Sequence, residues 1–376
     1  MTGNFSGEFF AAVNSAGGFI SWFDEIFNTD ELGRLFIIKG GSGTGKSTLM
    51  RRIAERGVSL GCECEYYYCS SDPKSLDGII LRDNTPHDSD TPGVINYRSV
   101  AVIDGTAPHT RDPKLPGAAD EIVNLGDFWQ TEALCEHRGE LARLIGEKSA
   151  LFGQSSEFLY AAGEVDKLLN SDAARFIFTE KLNAAAERLL EQAKKGVKRS
   201  QRAGSYQLLT RPVNALSTLG RYSFDTYRKS AGRICEVTDV MGTSQFMFDA
   251  LINLARRLRL EVYRAPVPLE PTQSEALYFP RLDLAVVRSD KPGDYYNPDI
   301  KIINMERFID RSSLSQSDRK RRRMLTKCRD ELIEEALGRL SEAGALHGEI
   351  ERIYREAMDF DAVSRFTEQL EARIFD

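Results

Sequence analysis

The chain has 376 residues, which exceeds one ordinary domain, so we expect two domains and a sizeable buried core. Its net charge of −6 argues against a protein that binds nucleic acid over its whole surface, although a local basic patch is compatible with it. No stretch reaches the roughly 18 apolar residues of a membrane-spanning helix, and the N-terminus lacks the pattern of a secretory signal. We therefore expect a cytoplasmic protein that has no membrane partner and keeps its six cysteines reduced.

In chain order, the first informative stretch is an apolar strand followed by a glycine-rich turn. Residues 18–34 predict a short strand or turn and an amphipathic segment, and Leu35–Ile38 predict a strand. The next residues fit the pattern G-x-x-x-x-G-K-[ST], which starts at Gly40 and ends at Gly45-Lys46-Ser47. A helix is expected over residues 46–57. Strand, loop, lysine and helix therefore occur in the order of a P-loop.

The residue types of this loop suit a bound triphosphate. Glycines can take positive φ angles, so that successive backbone N–H groups turn inward around a phosphate. Lys46 would carry a positive charge to the β- and γ-phosphates, the Ser47 hydroxyl would ligate Mg²⁺, and Thr48 is a weaker second candidate for the metal. We therefore expect ATP and Mg²⁺ as ligands. The predicted phosphate-binding residues are Gly40, Gly41, Ser42, Gly43, Thr44, Gly45, Lys46, Ser47 and Thr48.

The following strands supply a carboxylate for the metal. Cys64–Cys69 predict a second strand, which ends at Ser70–Pro73 and precedes a predicted short helix and a polar stretch from Arg82 to Thr91. Val100–Ile103 predict a buried strand that ends in Asp104. An aspartate at the carboxyl end of a strand beside the P-loop strand can hold Mg²⁺ through water, although an aspartate before glycine is also common in a plain turn.

Beyond Asp104 the chain returns to strand and then becomes helical. Residues 121–125 predict a further strand, and residues from about 130 to 196 predict helices because Leu, Ala, Glu and Lys recur at helical spacing. Such helices normally pack on their own domain.

The second half of the sequence repeats the first half. Several pairs of segments recur in the same order, which makes the duplication of one α/β unit the best account. The pairs are residues 34–39 with 233–238, 43–47 with 242–246, 100–103 with 284–287, Pro108 with Pro292, 122–125 with 302–305, 163–168 with 348–353, and 178–182 with 366–370. We place the boundary near residues 200–215. The predicted domains, 1–205 and 206–376, are each a P-loop α/β fold with a parallel sheet, flanking helices and a helical tail.

The two copies differ at the positions that carry the chemistry. Gly45 corresponds to Ser244, Lys46 to Gln245, Ser47 to Phe246 and Asp104 to Arg288. Because the lysine, the hydroxyl and the carboxylate are all replaced, we interpret the second half as a P-loop fold that has lost its nucleotide chemistry. We expect one ATP per chain. If the second half never was such a fold, no parallel sheet is expected there.

Five segments of the chain carry a resemblance to a known family: GGSGTGKST, CSSDPKSLDGI, VIDGTAPH, DPKLPGA and EIVNLGDFW. They resemble a bacterial family of tandem P-loop ATPases, some of them labelled nucleotide kinases, and the resemblance covers nearly the whole chain. It implies a P-loop NTPase fold that binds ATP, and it specifies no substrate. In that family each half has a P-loop, an SSDP-type segment and a PH-containing segment. Only the first half keeps that pattern here, so a second active site is not expected.

The sequence leaves two classes of function open, of which the first is an ATPase or a kinase-like phosphotransferase. In this class the P-loop handles Mg·ATP, and segments 72–77 and 104–112 form the site of the acceptor or water. Asp72 is a candidate to accept a proton or to act through Mg²⁺, His109 to orient an oxygen, and Arg111 to neutralise charge in the transition state. The alternative for Asp72 is a helix-capping turn, and the alternative for the other two is a position on a surface loop.

The second class is an ATP-dependent switch or scaffold, in which turnover is slow and the second half docks a protein or nucleic-acid partner. The loss of chemistry in one copy fits this class. Two sequence features narrow the choice of nucleotide and of ATPase type. Gly105 follows Asp104 where ATPases of the additional-strand type carry a glutamate, and the chain lacks the guanine-reading [NT]KxD motif, which favours ATP over GTP.

Arg319–Arg323 is a run of five basic residues that has no counterpart in the first half. Successive residues of a helix point around its whole circumference, so at most about three of them can face one partner. The run fits a solvated helix. The alternatives are an arginine that reaches the P-loop of the first half during phosphoryl transfer, and a nucleic-acid contact, which the acidic composition makes less favoured.

Overall fold

The computed structural model of the chain describes residues 6–83, 99–195, 197, 205–289 and 300–375. Within these ranges the first half contributes one six-stranded sheet and one hairpin. The strands of the sheet are, in spatial order, β1 (Gly7–Phe10), β5 (Glu63–Tyr68), β6 (Leu76–Arg82), β7 (Ser99–Asp104), β4 (Arg34–Lys39) and β8 (Asp120–Asn124), and those of the hairpin are β2 (Ala12–Ser15) and β3 (Gly18–Ser21). The helices are α1 (Phe23–Ile26), α2 (Lys46–Ser59), α3 (Thr131–Glu136), α4 (Arg138–Ala174) and α5 (Thr179–Lys194).

The second half repeats this architecture with the same strand order. Its sheet consists of β16 (Lys301–Asn304), β12 (Arg233–Thr238), β15 (Leu284–Ser289), β14 (Ser274–Phe279), β13 (Glu261–Pro266) and β9 (Gln207–Thr210), and its hairpin of β10 (Asn214–Ser217) and β11 (Gly220–Ser223). Its helices are α6 (Thr226–Ser230), α7 (Ser244–Leu258), α8 (Gln316–Glu356) and α9 (Phe360–Phe375). Short 3₁₀ turns lie at Leu125–Phe128, Pro280–Leu282, Met305–Phe308 and Arg311–Ser313.

The internal repeat predicted along the strands is confirmed by their register. Arg34 of β4 pairs with Val100 of β7, and Arg233 of β12 pairs with Leu284 of β15. The predicted strands at 35–38, 64–69, 100–103 and 121–125 are present as β4, β5, β7 and β8, and the predicted helix at 46–57 is present as α2. Pro292 and residues 84–91 of the predicted polar stretch lie outside the described residues.

Each sheet is mixed, whereas we expected parallel sheets. β6 runs antiparallel to both β5 and β7, and β14 runs antiparallel to both β13 and β15. The short helix predicted after residue 73 is therefore wrong. Residues 76–81 are all buried, and a central strand is covered on both faces, whereas a short surface helix leaves part of its circumference in solvent.

Alternation along β4 divides its side chains between two apolar cores. Phe36 and Ile38 pack with α2 on one face of the sheet. Leu35 and Ile37 point to the opposite face, where their cluster includes Val287 of β15 in the second sheet. Because successive side chains of a strand point to opposite faces, each sheet is covered by helices on one side and by the other sheet on the other. One core therefore joins the two halves.

The terminal helices are exchanged between the halves. α9, from the second half, buries Val363 and Leu370 with α2 and the first sheet. α5, from the first half, buries Leu182 and Leu189 with α7 and the second sheet. The expectation that each helical tail packs on its own domain is therefore wrong.

Two long helices carry the chain across to the other half. α4 has 37 residues and α8 has 41, so they span roughly 55 and 60 Å. They lie antiparallel, since Leu141 near the start of α4 packs with Ile353 near the end of α8. A backbone hydrogen bond joins the residue that follows α8 to the first half: Gln130 N donates to Ala357 O at 2.8 Å. The helices are too long to end beside their own sheets, and this length is the physical reason for the exchange.

The structure also corrects the pairing of the helical tails. Gly163 lies against Ala16 at the turn of the first hairpin, and Gly344 lies against Thr218 at the turn of the second. Gly163 therefore corresponds to Gly344, and the predicted pairing with Gly348 is one helical turn out of register. An apolar pattern that recurs every turn of a helix permits such slips, because each shifted alignment still matches apolar residues with apolar residues.

The predicted pairing of residues 178–182 with 366–370 is also out of register, by two helical turns. Phe178 N donates to Phe308 O at 2.8 Å, and Asp359 N donates to Phe128 O at 3.1 Å in the equivalent place. Phe178 therefore corresponds to Asp359, whereas the sequence paired it with Phe366.

The exchange of the terminal helices predicts which helix loses protection from hydrogen exchange when α9 or α5 is destabilised. Leu370→Ala in α9 should increase amide hydrogen exchange in α2, and the equivalent Leu189→Ala in α5 should increase it in α7. Each deletes a buried leucine, which costs about 2–5 kcal/mol of stability, so local protection should fall measurably. Hydrogen exchange followed by mass spectrometry checks this, with the exposed Gln369→Ala as the control. The reverse pattern, with Leu370→Ala loosening α7, would contradict the exchange.

Candidate functional site

The glycine-rich loop, residues 40–45, connects the carboxyl end of β4 to the first residue of α2. Gly43 and Gly45 have φ angles of 73° and 89°, in the left-handed region that favours glycine. The other glycines serve close packing: a Cβ on Gly40 would lie 2.9 Å from Thr44 Oγ1. The Thr44 hydroxyl donates to Gly41 O at 3.0 Å. The loop thus wraps tightly in front of the N-terminus of α2.

Lys46 lies inside this loop. Its ammonium donates to Gly40 O at 2.8 Å and to Gly41 O at 2.7 Å, and it lies 3.3 Å from Asp104 Oδ2. Only 12 % of the side chain is exposed, so it does not face solvent as a surface lysine would. Ser47 Oγ accepts a hydrogen bond from Leu76 N at 3.0 Å, which ties the start of α2 to β6.

Asp104 accepts hydrogen bonds within a turn and also contacts Lys46 of the glycine-rich loop. Its strand, β7, pairs directly with β4, with Asp104 opposite Ile38. Asp104 Oδ1 accepts from Thr106 N at 2.9 Å and from Thr106 Oγ1 at 2.6 Å, while Oδ2 faces Lys46. The plain-turn geometry and the contact with the lysine therefore coexist, one on each carboxylate oxygen.

A second carboxylate, Asp77, lies next to Asp104 and was not among the predicted site residues. Asp77 precedes Gly78 of β6, which pairs with Ile103 of β7. The two aspartates therefore lie side by side where these two strands meet the glycine-rich end of the sheet. Burial raises the pKa of Asp77, and the hydrogen bond from His109 Nε2 at 3.2 Å opposes that rise. The only signal in the sequence is a charged residue within the apolar run 76–81.

His109 and Arg111 form a buried wall, defined by these two residues, on the side of Asp77 that faces the interior. They are only 8 % and 7 % exposed, so the alternative that they are surface loop residues is wrong. The His109 ring stacks on Phe23 at a centroid distance of 4.0 Å. Arg111 Nη1 lies 3.4 Å from both Phe23 O and Asp24 Oδ1, and its Nε and Nη2 have no hydrogen-bond partner among the described residues.

Asp72 lies in a turn that is anchored to the second half. Its Oδ1 accepts from Lys74 N at 3.1 Å, as a capping aspartate does, although β6 rather than a helix follows. The neighbouring Ser71 O accepts from Thr218 N at 2.9 Å and from Thr218 Oγ1 at 2.8 Å. The hairpin of the second half thus positions the segment that contains Asp72.

The exchanged helices bring further groups to the glycine-rich loop. A Cβ on Gly43 would lie 2.6 Å from the backbone oxygen of Glu351 in α8, and one on Gly45 would lie 3.5 Å from the ring of Phe360 in α9. Lys148 Nζ of α4 lies 3.4 Å from His347 Nδ1 of α8. Burial lowers the pKa of Lys148, and burial together with Lys148 lowers the pKa of His347. Both were missed because the sequence placed the tails on their own halves.

The corresponding loop of the second half, residues 239–243, has different neighbours. Arg288 of β15 lies opposite Val237, as Asp104 lies opposite Ile38. Arg322, from the basic run, is buried and donates to Met241 O and, at 2.8 Å, to Leu169 O.

The basic run therefore lies at the second-half loop, and the alternative of an arginine that reaches the loop of the first half is wrong. The start of α8 lies there because α4 and α8 are antiparallel. The run also borders a cavity of about 920 Å³ that includes Met241 and Gly242. Arg321 donates to Asp172 at 2.7 Å, so the run is in part neutralised within the chain rather than fully solvated.

A scan against protein-family models, a search of curated proteins and a search of solved structures each find no match to this chain. Among the residues that the structure describes, no group of three or more His, Cys, Asp or Glu side chains is placed to hold a metal ion. No helix in the described ranges is both long and apolar enough to cross a membrane.

The burial of Asp77 predicts a pH-dependent contribution to stability. Because its pKa is raised in the folded chain, folded Asp77 holds its proton more tightly than unfolded Asp77, whose pKa is near 3.8. Its contribution is therefore greatest below that value and falls as the pH rises through the folded pKa. The free energy of unfolding of the parent, relative to Asp77→Asn, should decrease as the pH rises above about 4.

Urea unfolding at several pH values measures this difference. Asp112→Asn, whose side chain is 95 % exposed, controls for the loss of one negative charge. A difference between parent and Asp77→Asn that stays constant or increases over this range would contradict the assignment.

Proposed function

We propose that the chain binds Mg·ATP at the glycine-rich loop of its first half and transfers the γ-phosphoryl group to water or to an acceptor. The observation that carries this proposal is the position of Lys46, held by the loop carbonyls at the N-terminus of α2 and 3.3 Å from Asp104. A positive helix end, inward N–H groups and a mobile ammonium together form an anion site. A carboxylate beside it suits the metal that accompanies a triphosphate.

The residues present fit the chemistry of Mg²⁺. This cation prefers oxygen ligands, and the Ser47 hydroxyl and the Asp104 carboxylate would hold it, the carboxylate through water. Ser47 Oγ uses one lone pair for Leu76 N and keeps the other. When bound, Mg²⁺ neutralises charge on the β- and γ-phosphate oxygens. Asp77 adds a second carboxylate on the same sheet edge.

The remaining candidates take different roles in this proposal. His109 is buried behind Asp77, so it positions that carboxylate rather than touching the acceptor. Arg111 closes the same wall. Asp72, in the turn beside the helices, is the candidate to accept the proton of the attacking oxygen. The direct pairing of β7 with β4, together with Gly105 after Asp104, supports a P-loop protein that is not of the additional-strand type.

The second half is proposed to be a copy of the same fold that has lost its nucleotide chemistry. Its strand order, register and positive φ at Gly242 match the first half. Gln245, Phe246 and Arg288 occupy the positions of Lys46, Ser47 and Asp104. A basic side chain in place of the metal-side carboxylate opposes a second Mg·ATP site.

A second candidate function is an ATP-dependent switch, and the contact of α8 with the glycine-rich loop favours it. Because the Glu351 backbone lies against Gly43, a nucleotide that changes the loop can act on the long helix of the other half. This switch would alter the surface that α8 and α9 present to a protein partner. An acidic chain whose basic run is partly neutralised supports a protein partner over nucleic acid.

The first prediction of this proposal concerns binding. Lys46→Ala should weaken ATP binding by about a hundredfold or more, because it removes charge-assisted hydrogen bonds to the phosphates. Isothermal titration calorimetry should give one site in the parent and in the control Gln245→Ala, which changes the equivalent residue of the second half. Unchanged affinity in Lys46→Ala, or two sites of similar affinity in the parent, would overturn the proposal.

The second prediction separates binding from turnover. Asp104→Asn keeps an oxygen that can accept from Thr106 and removes only the charge, so ATP binding should survive. Mg²⁺-dependent ADP release should fall on the order of a hundredfold. Thr106→Val, which removes the hydroxyl donor and keeps the carboxylate, is the control. Equal ADP release by parent and Asp104→Asn at saturating Mg²⁺ would count against Asp104 as the metal-side ligand.

The same Asp104→Asn protein distinguishes the two candidate functions. An ATPase or a phosphotransferase gives ADP release by the parent that is lost in Asp104→Asn, and in a phosphotransferase this release also depends on an added acceptor. A switch gives ATP-dependent changes in hydrogen exchange of α8 and α9 even in Asp104→Asn, where turnover is removed.

A further inference from the structure

The antiparallel pair of α4 and α8 places two basic side chains beside the glycine-rich loop. His347 is one helical turn before Glu351, whose backbone lies against Gly43. His347 lies near enough to Lys46 and Asp72 for both to affect its charge state. Lys148 is 3.4 Å from His347. Because His347 lies one helical turn from the residue that contacts Gly43, it and Lys148 lie in the vicinity of the proposed nucleotide site.

The equivalent pair lies on the same two helices near the loop of the second half, and there it is an internal ion pair. Lys148 lies 15 residues before Gly163, and Arg329 lies 15 residues before its counterpart Gly344. By the same correspondence Asp166 is the counterpart of His347. Arg329 Nη1 lies 3.0 Å from Asp166 Oδ1. The cation at this position is therefore neutralised in the half that has no Lys46.

In the first half the cation lacks such a partner. Among the described residues no carboxylate oxygen lies within the 4.0 Å of an ion pair from Lys148 Nζ, and the imidazole of His347 takes the place of Asp166. The Glu351 carboxylate is near enough to affect the charge state of Lys148, but it lies 3.8 Å from His347 Nε2. A half-buried ammonium that shares a carboxylate with an imidazole is further stabilised by another anion. A proposed anion site, the glycine-rich loop, lies against the backbone of Glu351 at Gly43.

We propose that Lys148 binds the terminal phosphate of the nucleotide and that His347 positions its ammonium. This inference rests on the proposed function and names the residue of α4 that completes its site. His347 Nδ1 accepts from Lys148 and leaves the other ammonium hydrogens for phosphate oxygens. Lys148 is thus a binding and catalytic residue, and His347 is a positioning residue.

The role follows from the charge balance of phosphoryl transfer. The attacking oxygen forms its bond to the γ-phosphorus while the bond from that phosphorus to the bridging oxygen breaks. ADP leaves with the electron pair, and the proton of the attacking water goes to Asp72 or to solvent. Negative charge stays on the three equatorial oxygens, and a fixed cation beside them stabilises the transition state. Because Lys148 meets the terminal phosphate alone, it acts on ATP and not on ADP.

The test compares Lys148→Met with the matched Arg329→Met, which removes the equivalent cation of the second half. Lys148→Met should bind ADP as the parent does, which also shows that the loop is folded. Its preference for ATP over ADP, measured by calorimetry, should fall about tenfold or more. Its rate of ADP release from ATP should fall on the order of a hundredfold. Arg329→Met should leave both quantities unchanged, and Lys148→Arg should recover part of each.

His347 is tested by the same measurements. His347→Phe removes the acceptor, so the rate should fall while Lys148 still contributes to ATP affinity, and the loss should be smaller than in Lys148→Met. A Lys148→Met protein that binds ADP and keeps the parental ATP preference and rate would overturn the inference and leave the proposed function standing. A parent that binds neither ATP nor ADP would overturn both.

Discussion

The exchange of α5 and α9 between the halves is the constraint on which the proposed site depends. α8 crosses from the second sheet to the first, and only for this reason does the Glu351 backbone reach Gly43 and the Phe360 ring reach Gly45. Tails that packed on their own sheets would leave the glycine-rich loop with the neighbours of its own half alone. The loop is therefore formed by the first half and enclosed by the second, and the shared core between the sheets holds the two in register.

The two halves use one framework with different charges around their loops. Lys46, Asp104, Lys148 and His347 lie at or near the first-half loop, and the equivalent positions of the second-half loop hold Gln245, Arg288, Arg329 and Asp166. In the second half the cations near the loop are satisfied within the chain, Arg329 by Asp166 and Arg322 by backbone carbonyls. At the first-half loop Lys46 has Asp104 and His347 has Glu351, whereas Lys148 has no carboxylate within the 4.0 Å of an ion pair among the described residues. A buried cation is stable only with an anion, so this asymmetry favours a ligand at one loop and a closed structure at the other.

The sequence predicts best what is decided locally. β4, the loop and α2 follow from an apolar run, glycines and a helix start within about 25 residues, and the strand register of the repeat follows from matched apolar segments. β6 was mistaken for a helix because a strand covered on both faces has no alternation to read. Asp77 can be recognised as a site residue only when the pairing of β6 with β7 is known. Lys148 and His347 can be recognised as site residues only when the relative position of α4 and α8 is known. Helical periodicity does not fix that position, because a shift by one whole turn keeps the same face of the helix apolar.

A second half that has lost its nucleotide chemistry, as proposed, is still required by the structure of the first half. Changes at residues 239–246 leave the glycine-rich loop intact, because α8 and α9, rather than the second-half loop, are what the second half brings to the first. Changes on the faces of these helices act differently. Leu370 is fully buried beneath α2, and Tyr354 packs against Gly41, so substitutions there alter the first-half site directly. The proposed loss of chemistry in the second half is compatible with its structural contribution, because that contribution comes from a different part of the chain.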